Sequence, residues 1–185
     1  MPFTAFHAAP VWLLFLAKPR RFDWIALSVG ATIPDILEPI MIFFFLPYYW
    51  DVRIVTHSLI GAFTVMLLVA VLISLYVVPA ILRLFKRRFN DKRLYTFAGI
   101  DILEERGSIS VITYSALIGI LSHVIIDVFY HSTNPLFHPS ENIAILFYED
   151  LTASRLIITP IISVMFLVLA YKFWWNYPSE EKNTI

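Results

Sequence analysis

The sequence predicts an all-α integral membrane protein built as a bundle of about five transmembrane or membrane-embedded helices. Of its 185 residues, 59% are hydrophobic and only 15% are charged. A soluble domain averages about 45–50% apolar and about 25% charged residues, and the mean hydropathy of this chain is +0.74. This excess of apolar residues is too large for the core of a soluble domain of the same length.

Five apolar stretches predict the helices, and they lie near residues 3–17, 24–46, 57–82, 109–131 and 154–175. A spanning helix needs about 20 mainly apolar residues. The first stretch is shorter, so we expect it to tilt through the membrane or to lie in its interface. We expect residues 83–108 to form a cytoplasmic loop and residues 1–185 to form a single helical membrane domain.

The distribution of lysine and arginine predicts the orientation of the helices. One set of predicted loops holds most of these cations, including the cluster from Arg83 to Arg93, whereas the opposite set holds Arg53 and Arg155. By the positive-inside rule, the N-terminus is expected outside and the C-terminus inside.

Charge and cysteine content exclude several classes of protein. The 14 lysine and arginine residues are balanced by 14 aspartate and glutamate residues, so no basic excess is present to neutralise phosphates. We therefore expect no nucleic-acid partner. Because the chain has no cysteine, any metal must be held by histidines and carboxylates.

Seven ionisable residues fall inside the apolar stretches, where a carboxylate costs about 2.5–3.5 kcal/mol at the bilayer centre. Since successive helices alternate in direction, all seven are expected to face one cavity that is open to the outer side of the membrane. We therefore place the candidate site in the outer half of the bundle. The residues are His7, Asp35, Glu38, His57, His123, Asp127 and His131.

The fourth stretch carries the sharpest local pattern. His123, Asp127 and His131 are spaced at i, i+4 and i+8, so they share one helix face. Imidazole and carboxylate groups one turn apart can bind a single metal ion, and neighbouring carboxylates favour a divalent cation. The pattern predicts a Zn²⁺ site, with Mn²⁺ or Fe²⁺ as alternatives because mixed histidine and carboxylate ligands bind all three.

Each residue also has a structural interpretation that leaves the metal out. Asp35 follows a proline and can cap a broken helix, and His57 can belong to a helix cap. Glu38 can be a neutral carboxylic acid. Arg53 can be an interface cation whose side chain reaches toward water, and His138 can be solvated in an outer loop.

Four short motifs resemble, in order, a family of membrane-bound metal-dependent hydrolases of bacteria and archaea. That family is distantly similar to zinc-dependent phospholipase C and the single-strand nucleases. The resemblance covers roughly residues 1–140, but Val52-Arg53-Ile54 replaces a frequent His-Arg-Gly sequence. The motifs are Met1-Pro2-Phe3-Thr4 with His7, Ile33-Pro34-Asp35, Arg53 with Thr56-His57-Ser58, and Gly119 with Ser122-His123 and Asp127.

The resemblance implies a set of metal ligands and a site for one to three zinc ions. It implies that Asp127 bridges two ions and that Asp35 is a ligand or a general base. His138 or Glu141 would bind a third ion, although they are one residue closer together than the equivalent pair in the phospholipases. The implied ligands are His7, His57, His123 and Asp127, with His131 as a further one.

These observations lead to three functional hypotheses. The first is a zinc-dependent hydrolase of a phosphoester in a lipid or amphiphile, in which Asp35 helps to activate water and Arg53 orients the phosphate. The second is a metal-ion or proton transporter, and the third is a membrane interaction or scaffold protein without catalysis. The resemblance implies a multi-pass protein of a prokaryotic cytoplasmic membrane, with membrane lipids as partners.

Overall fold

The computed structural model describes residues 4–44, 49–88, 106–129, 135–139 and 151–176, and within these ranges it contains helices and turns but no strands. A 3₁₀ turn, Thr4–His7, leads into α1, and a second one, Pro19–Arg21, precedes α2. The predicted all-helical class is confirmed. The helices are α1 (Ala8–Ala17), α2 (Trp24–Phe44), α3 (Tyr49–His57), α4 (residues 59–88), α5 (Ile109–Val128) and α6 (Leu151–Asn176).

Three helices are long and apolar enough to cross a membrane, judged by length and composition. They are α2, the Leu59–Phe85 part of α4, and α5. Thr4–Ala17 and Leu156–Lys172 are shorter apolar helices. Large apolar side chains also point outward, with Phe43 80% exposed and Leu156 70% exposed. These helices indicate a membrane protein, while the prediction of five membrane-embedded helices remains a prediction.

The predicted segments match these helices except around the third one. His57 ends α3, a helix that the sequence analysis did not predict, and does not begin the long helix that follows. The break lies at Ser58, which has extended backbone angles and whose hydroxyl accepts a hydrogen bond from the Gly61 N–H at 2.9 Å. Ser58 is therefore the N-cap of α4.

The other end of α4 also differs from the prediction. The helix continues to Arg88, so residues 83–88 of the predicted cytoplasmic loop 83–108 are helical. Lysine, arginine and leucine all favour helix, so the polar composition of this stretch does not end it. Residues 89–105 of that loop lie outside the described residues.

Two turns of α4, Ala62–Met66 and Ile73–Val77, have π-helical hydrogen bonding. At the second of them, the Val78 N–H bonds to the Ile73 carbonyl, five residues back. In this pattern the Ser74 carbonyl would need the nitrogen of Pro79, which carries no hydrogen. Arg106 supplies a donor instead, with its Nη1 atom 2.5 Å from the Ser74 carbonyl oxygen.

Arg106 also forms a bidentate ion pair with Asp23, the residue just before α2. Its Nε and Nη2 atoms lie 2.9 and 3.1 Å from the two carboxylate oxygens. Asp23 in turn accepts the Ala26 N–H at 2.7 Å, which caps the first turn of α2. Arg106 therefore joins the start of α2 to α4, directly before α5 begins.

Helices α2 and α5 cross with their backbones in contact at Gly30 and Gly119. A Cβ atom added to Gly30 would lie 2.2 Å from the Ala116 carbonyl oxygen, and one added to Gly119 would lie 2.4 Å from that of Leu27. Only glycine permits such an approach at these two positions. The crossing brings the turn that follows Gly30 against α5, so that the Ala31 carbonyl and His123 are in contact.

Candidate metal centre

Six of the seven predicted ionisable residues come together in one buried cluster, and Arg53 joins them. The cluster draws on the turn before α1, on α2, on the end of α3, and on the second half of α5. His57 and His123 are fully buried, and Asp35 and Glu38 keep only 10% and 11% of their side chains exposed. The cluster comprises His7, Asp35, Glu38, Arg53, His57, His123 and Asp127.

The hydrogen bonds of His57 determine which of its ring nitrogens is free for a metal. Its Nδ1 atom lies 2.6 Å from the Thr56 hydroxyl oxygen. That hydroxyl donates its hydrogen to the Val52 carbonyl at 3.0 Å, so it accepts from Nδ1–H of His57. The Nε2 atom of His57 therefore carries a lone pair.

His123 has the same arrangement with different partners. Its Nδ1 atom lies 2.9 Å from the Ala31 carbonyl oxygen and 2.8 Å from Nδ1 of His7. Because a carbonyl oxygen can only accept, the hydrogen sits on Nδ1 and the Nε2 lone pair is free. Metal-binding histidines in proteins commonly donate their second ring N–H to a backbone carbonyl or another acceptor in this way.

The two Nε2 atoms face each other at 3.4 Å, and two carboxylate oxygens lie beside them. Oδ1 of Asp35 is 3.6 and 3.4 Å from Nε2 of His57 and His123, and Oδ2 of Asp127 is 3.3 Å from Nε2 of His57. These four atoms are all acceptors, so they cannot hydrogen-bond to one another. Tetrahedral Zn²⁺ with bonds of about 2.0–2.1 Å separates its ligand atoms by about 3.3–3.4 Å, close to the spacing found here.

Several buried polar atoms of the cluster have no hydrogen-bond partner among the described residues. They include Nε2 of His7, Oδ1 of Asp35 and Oε2 of Glu38. Such atoms are costly to bury unless an ion, a water or another group satisfies them. The donor set therefore fits a divalent metal ion, and the unsatisfied carboxylate oxygens lie where such an ion would be bound.

Arg53 lies inside the cluster and not at an exposed mouth. Its side chain is buried, with Nη2 2.9 Å from Oδ2 of Asp127 and Nη1 3.6 Å from Oε2 of Glu38. The interpretation of Arg53 as an interface cation reaching toward water is therefore wrong. It comes from α3, four residues before His57, so both side chains leave the same face of that helix.

The remaining predicted ligands are not brought into the cluster by the described residues. His138 lies half-buried in the turn at residues 136–139, where its backbone N–H donates to the Pro135 carbonyl. It belongs to none of the three groups of potential ligands that the described residues form. His131 and Glu141 lie outside the described residues, so their role stays a prediction.

The sequence analysis missed the groups that orient the histidines. Thr56 precedes His57 directly, and a hydroxyl beside a candidate ligand was the available signal. The Ala31 carbonyl gave no signal, because a backbone acceptor is present at every residue. Its contact with His123 depends on the glycine crossing, which only the assembled fold reveals.

The fold and the cluster together define a helical protein of membrane type with a buried candidate metal centre. The model of a family described as a domain of unknown function, DUF4184, matches residues 1–183, and the chain belongs to this family. Comparisons with curated proteins and with solved structures give no match. The family description states no activity, so the resemblance to metal-dependent hydrolases stays a prediction.

Proposed function

We propose that this protein is a membrane-embedded metal-dependent hydrolase that acts on a phosphoester of a lipid or amphiphile. The observation that carries the proposal is the pair of facing Nε2 atoms of His57 and His123, flanked by carboxylate oxygens of Asp35 and Asp127. Zn²⁺ suits this donor set, and Mn²⁺ and Fe²⁺ are alternatives. A bound Zn²⁺ supplies a Lewis acid and makes a water molecule acidic near neutral pH.

Asp35 is the residue best placed to move a proton. Its Oδ1 atom faces the two Nε2 atoms, and a carboxylate that binds an ion through one oxygen keeps its second oxygen to accept a proton from water. Asp35 and Glu38 are also more exposed than the histidines and Asp127. Water and substrate therefore reach the cluster on the α2 side. The role of Arg53 in orienting phosphate is less favoured, because two carboxylates already engage its guanidinium.

The exposed surface of α2 beside the cluster supports an amphiphilic substrate. Large apolar side chains of α2 close to Asp35 and Glu38 are exposed, with Ile36 at 48%, Ile40 at 42% and Phe43 at 80%. In a bilayer this face contacts lipid chains. For hydrolysis, the polar head of a lipid bound against this face would have to reach Asp35 and Glu38, whose side chains are 10% and 11% exposed.

Transport of ions is the second candidate, and the packing between α2, α4 and α5 argues against it. Buried apolar residues of these helices, including Met66, Ile112, Ala116 and Ile120, form one hydrophobic cluster. They lie between the candidate centre and the Asp23–Arg106 pair. An ion pathway needs polar groups along its length, and among the buried residues described at this level only Ser74 and Ser115 are polar, neither of which is ionisable.

Metal content of detergent-purified protein tests the centre directly. We expect stoichiometric metal in the wild type and a loss of it in the double variant His123→Ala, Asp127→Ala, because two ligands disappear. His138→Ala is the matched control, since it removes a histidine outside the cluster. Equal metal in the wild type and the double variant would contradict the proposal, and a wild type without stoichiometric metal would favour an interaction protein without catalysis.

Turnover is tested with vesicles of defined phospholipids, using mass spectrometry to detect the products. Asp35→Asn removes the proton acceptor but keeps an oxygen that can bind metal. We expect metal content to be largely retained and hydrolysis to be lost. Hydrolysis by Asp35→Asn at the wild-type rate would contradict the role of Asp35.

A further inference from the structure

Arg53 is the largest fully buried side chain among the described residues, and its charge lies within the candidate metal centre. We propose that the Arg53 guanidinium is a resident cation that takes the place of a second metal ion, so that the centre binds one divalent ion. This inference rests on the metal centre of the proposed function. The proposal narrows the expected number of bound metal ions from one to three to one.

The geometry around Asp127 supports this proposal. Its Oδ2 atom is shared between Nη2 of Arg53 at 2.9 Å and Nε2 of His57 at 3.3 Å. In two-metal sites a carboxylate commonly bridges the two ions. Here Asp127 bridges the guanidinium on one side and the place of a single ion, beside His57, on the other.

Glu38 occupies the other side of the guanidinium. Its Oε2 atom lies 3.6 Å from Nη1 of Arg53 and 3.5 Å from Nδ1 of His57. That nitrogen donates to Thr56, so it has no lone pair to offer a second ion. The two carboxylates that a second ion would need are therefore the two that Arg53 contacts.

The charges of the cluster also favour a single bound divalent ion. Asp35, Glu38 and Asp127 carry three negative charges when ionised, and Arg53 contributes one positive charge. The described cluster thus has a net charge of minus two when its histidines are neutral, which one divalent ion neutralises. A second divalent ion would leave two uncompensated positive charges in a buried site, which is strongly unfavourable.

Arginine suits this role better than lysine does. A guanidinium is always charged in proteins and its planar group contacts two carboxylates at once, whereas an ammonium is a point charge that loses its proton more readily when buried. The charge of Arg53 is therefore present with or without a bound ion. It holds Asp127 in place before the ion arrives.

The test is a titration of metal-free, detergent-purified protein with Zn²⁺, followed by dialysis and elemental analysis. We expect about one ion per chain in the wild type, and about one in Arg53→Lys, which keeps the positive charge. In Arg53→Gln we expect a second, weaker site, so that about two ions bind at saturation, because Glu38 and Asp127 are released.

The possible outcomes distinguish a failure of this inference from a failure of the proposed metal centre. Wild-type protein that binds no metal would overturn the centre and this inference together, whereas two ions in the wild type would overturn only the resident cation. A single site in folded Arg53→Gln would also overturn it. If that variant fails to fold, a Co²⁺ titration of the wild type decides, since the visible absorption must saturate at about one equivalent.

Discussion

At the scale of single residues, the groups behind the histidines decide which nitrogen can bind an ion. Thr56 holds Nδ1 of His57, and the Ala31 carbonyl holds Nδ1 of His123. Each contacts the Nδ1 side of its ring, whereas the nearby oxygens of Asp35 and Asp127 lie beside Nε2. Both groups fix the ring so that Nε2 points at these oxygens, and this orientation is present before any ion binds.

Replacing Thr56 by valine tests this arrangement without touching a ligand. The isosteric side chain leaves Nδ1–H of His57 without its acceptor, so the ring is free to rotate or change tautomer. We expect the affinity for Zn²⁺ to fall by about 10–100-fold, as is typical for such outer groups, measured by competition with a chromophoric chelator.

Thr64→Val is the matched control, because Thr64 makes the same kind of bond to the carbonyl four residues back but is exposed and distant from the cluster. Its Zn²⁺ affinity should equal that of the wild type. An unchanged affinity in Thr56→Val would mean that His57 is oriented by packing alone.

The candidate ligands can be predicted from the sequence, but their surroundings cannot. An ionisable side chain in an apolar helix stands out by composition, which is how His57, His123 and Asp127 are found. The buried position of Arg53 is not readable, since an arginine near a helix end is equally common in the interface. What places it inside is the short helix α3, which packs against α2 and the first turns of α4.

At the scale of helices, the crossing of α2 and α5 sets the geometry of the centre. Because Gly30 and Gly119 allow the backbones to touch, Ala31 lies within hydrogen-bonding distance of His123. If a methyl group at the crossing pushed the two helices apart, this contact and the distance from Asp35 to His123 would both become longer.

Gly119→Ala is therefore expected to weaken metal binding although no ligand changes. Its Cβ atom would lie 2.4 Å from the Leu27 carbonyl oxygen and 2.8 Å from the Ala31 nitrogen, both backbone atoms that cannot move aside freely. Overpacking of this kind costs about 1–3 kcal/mol, so we also expect a lower thermal midpoint in detergent.

Ile125→Ala serves as the comparison for this variant, since Ile125 lies on the same helix but is 53% exposed. It should keep both the metal content and the thermal midpoint of the wild type. If Gly119→Ala binds metal as well as Ile125→Ala does, the close crossing is not what positions His123.

The long helices are predictable because twenty apolar residues have few alternatives in a membrane. Helix α3 is not, because nine residues containing Asp51 and Arg53 have the composition of a loop. The two π-helical turns of α4 are equally hard to predict from the sequence. At the second of them, Arg106, which is far away in sequence, supplies the hydrogen bond that Pro79 cannot donate.

At the scale of the whole molecule, the candidate centre and most of the cations are expected on opposite sides of the membrane. Asp51 lies in α3 near the centre, while Arg83 lies toward the other end of α4, and both are exposed. The orientation predicted from the cations puts Asp51 outside and Arg83 inside.

Single cysteines can test this orientation cleanly, because the chain has no cysteine of its own. We expect a membrane-impermeant maleimide to label Asp51→Cys in intact cells and to label Arg83→Cys only after permeabilisation. The reverse pattern would contradict the predicted orientation, and labelling of both from one side would contradict a membrane crossing by α4.

The distance along the chain between the parts of the centre has a consequence for its biosynthesis. His7 and His123 are in contact although they are 116 residues apart. Because the ribosome delivers the N-terminal segments first, Asp35 enters the membrane well before its partner His123 on α5 exists. For the proposed metal centre, we therefore expect ion binding to be a late event that follows the arrival of α5. A chain truncated before α5 would lack His123 and Asp127, which contact Asp35, Arg53 and His57, and it is expected to be degraded more quickly than the full chain.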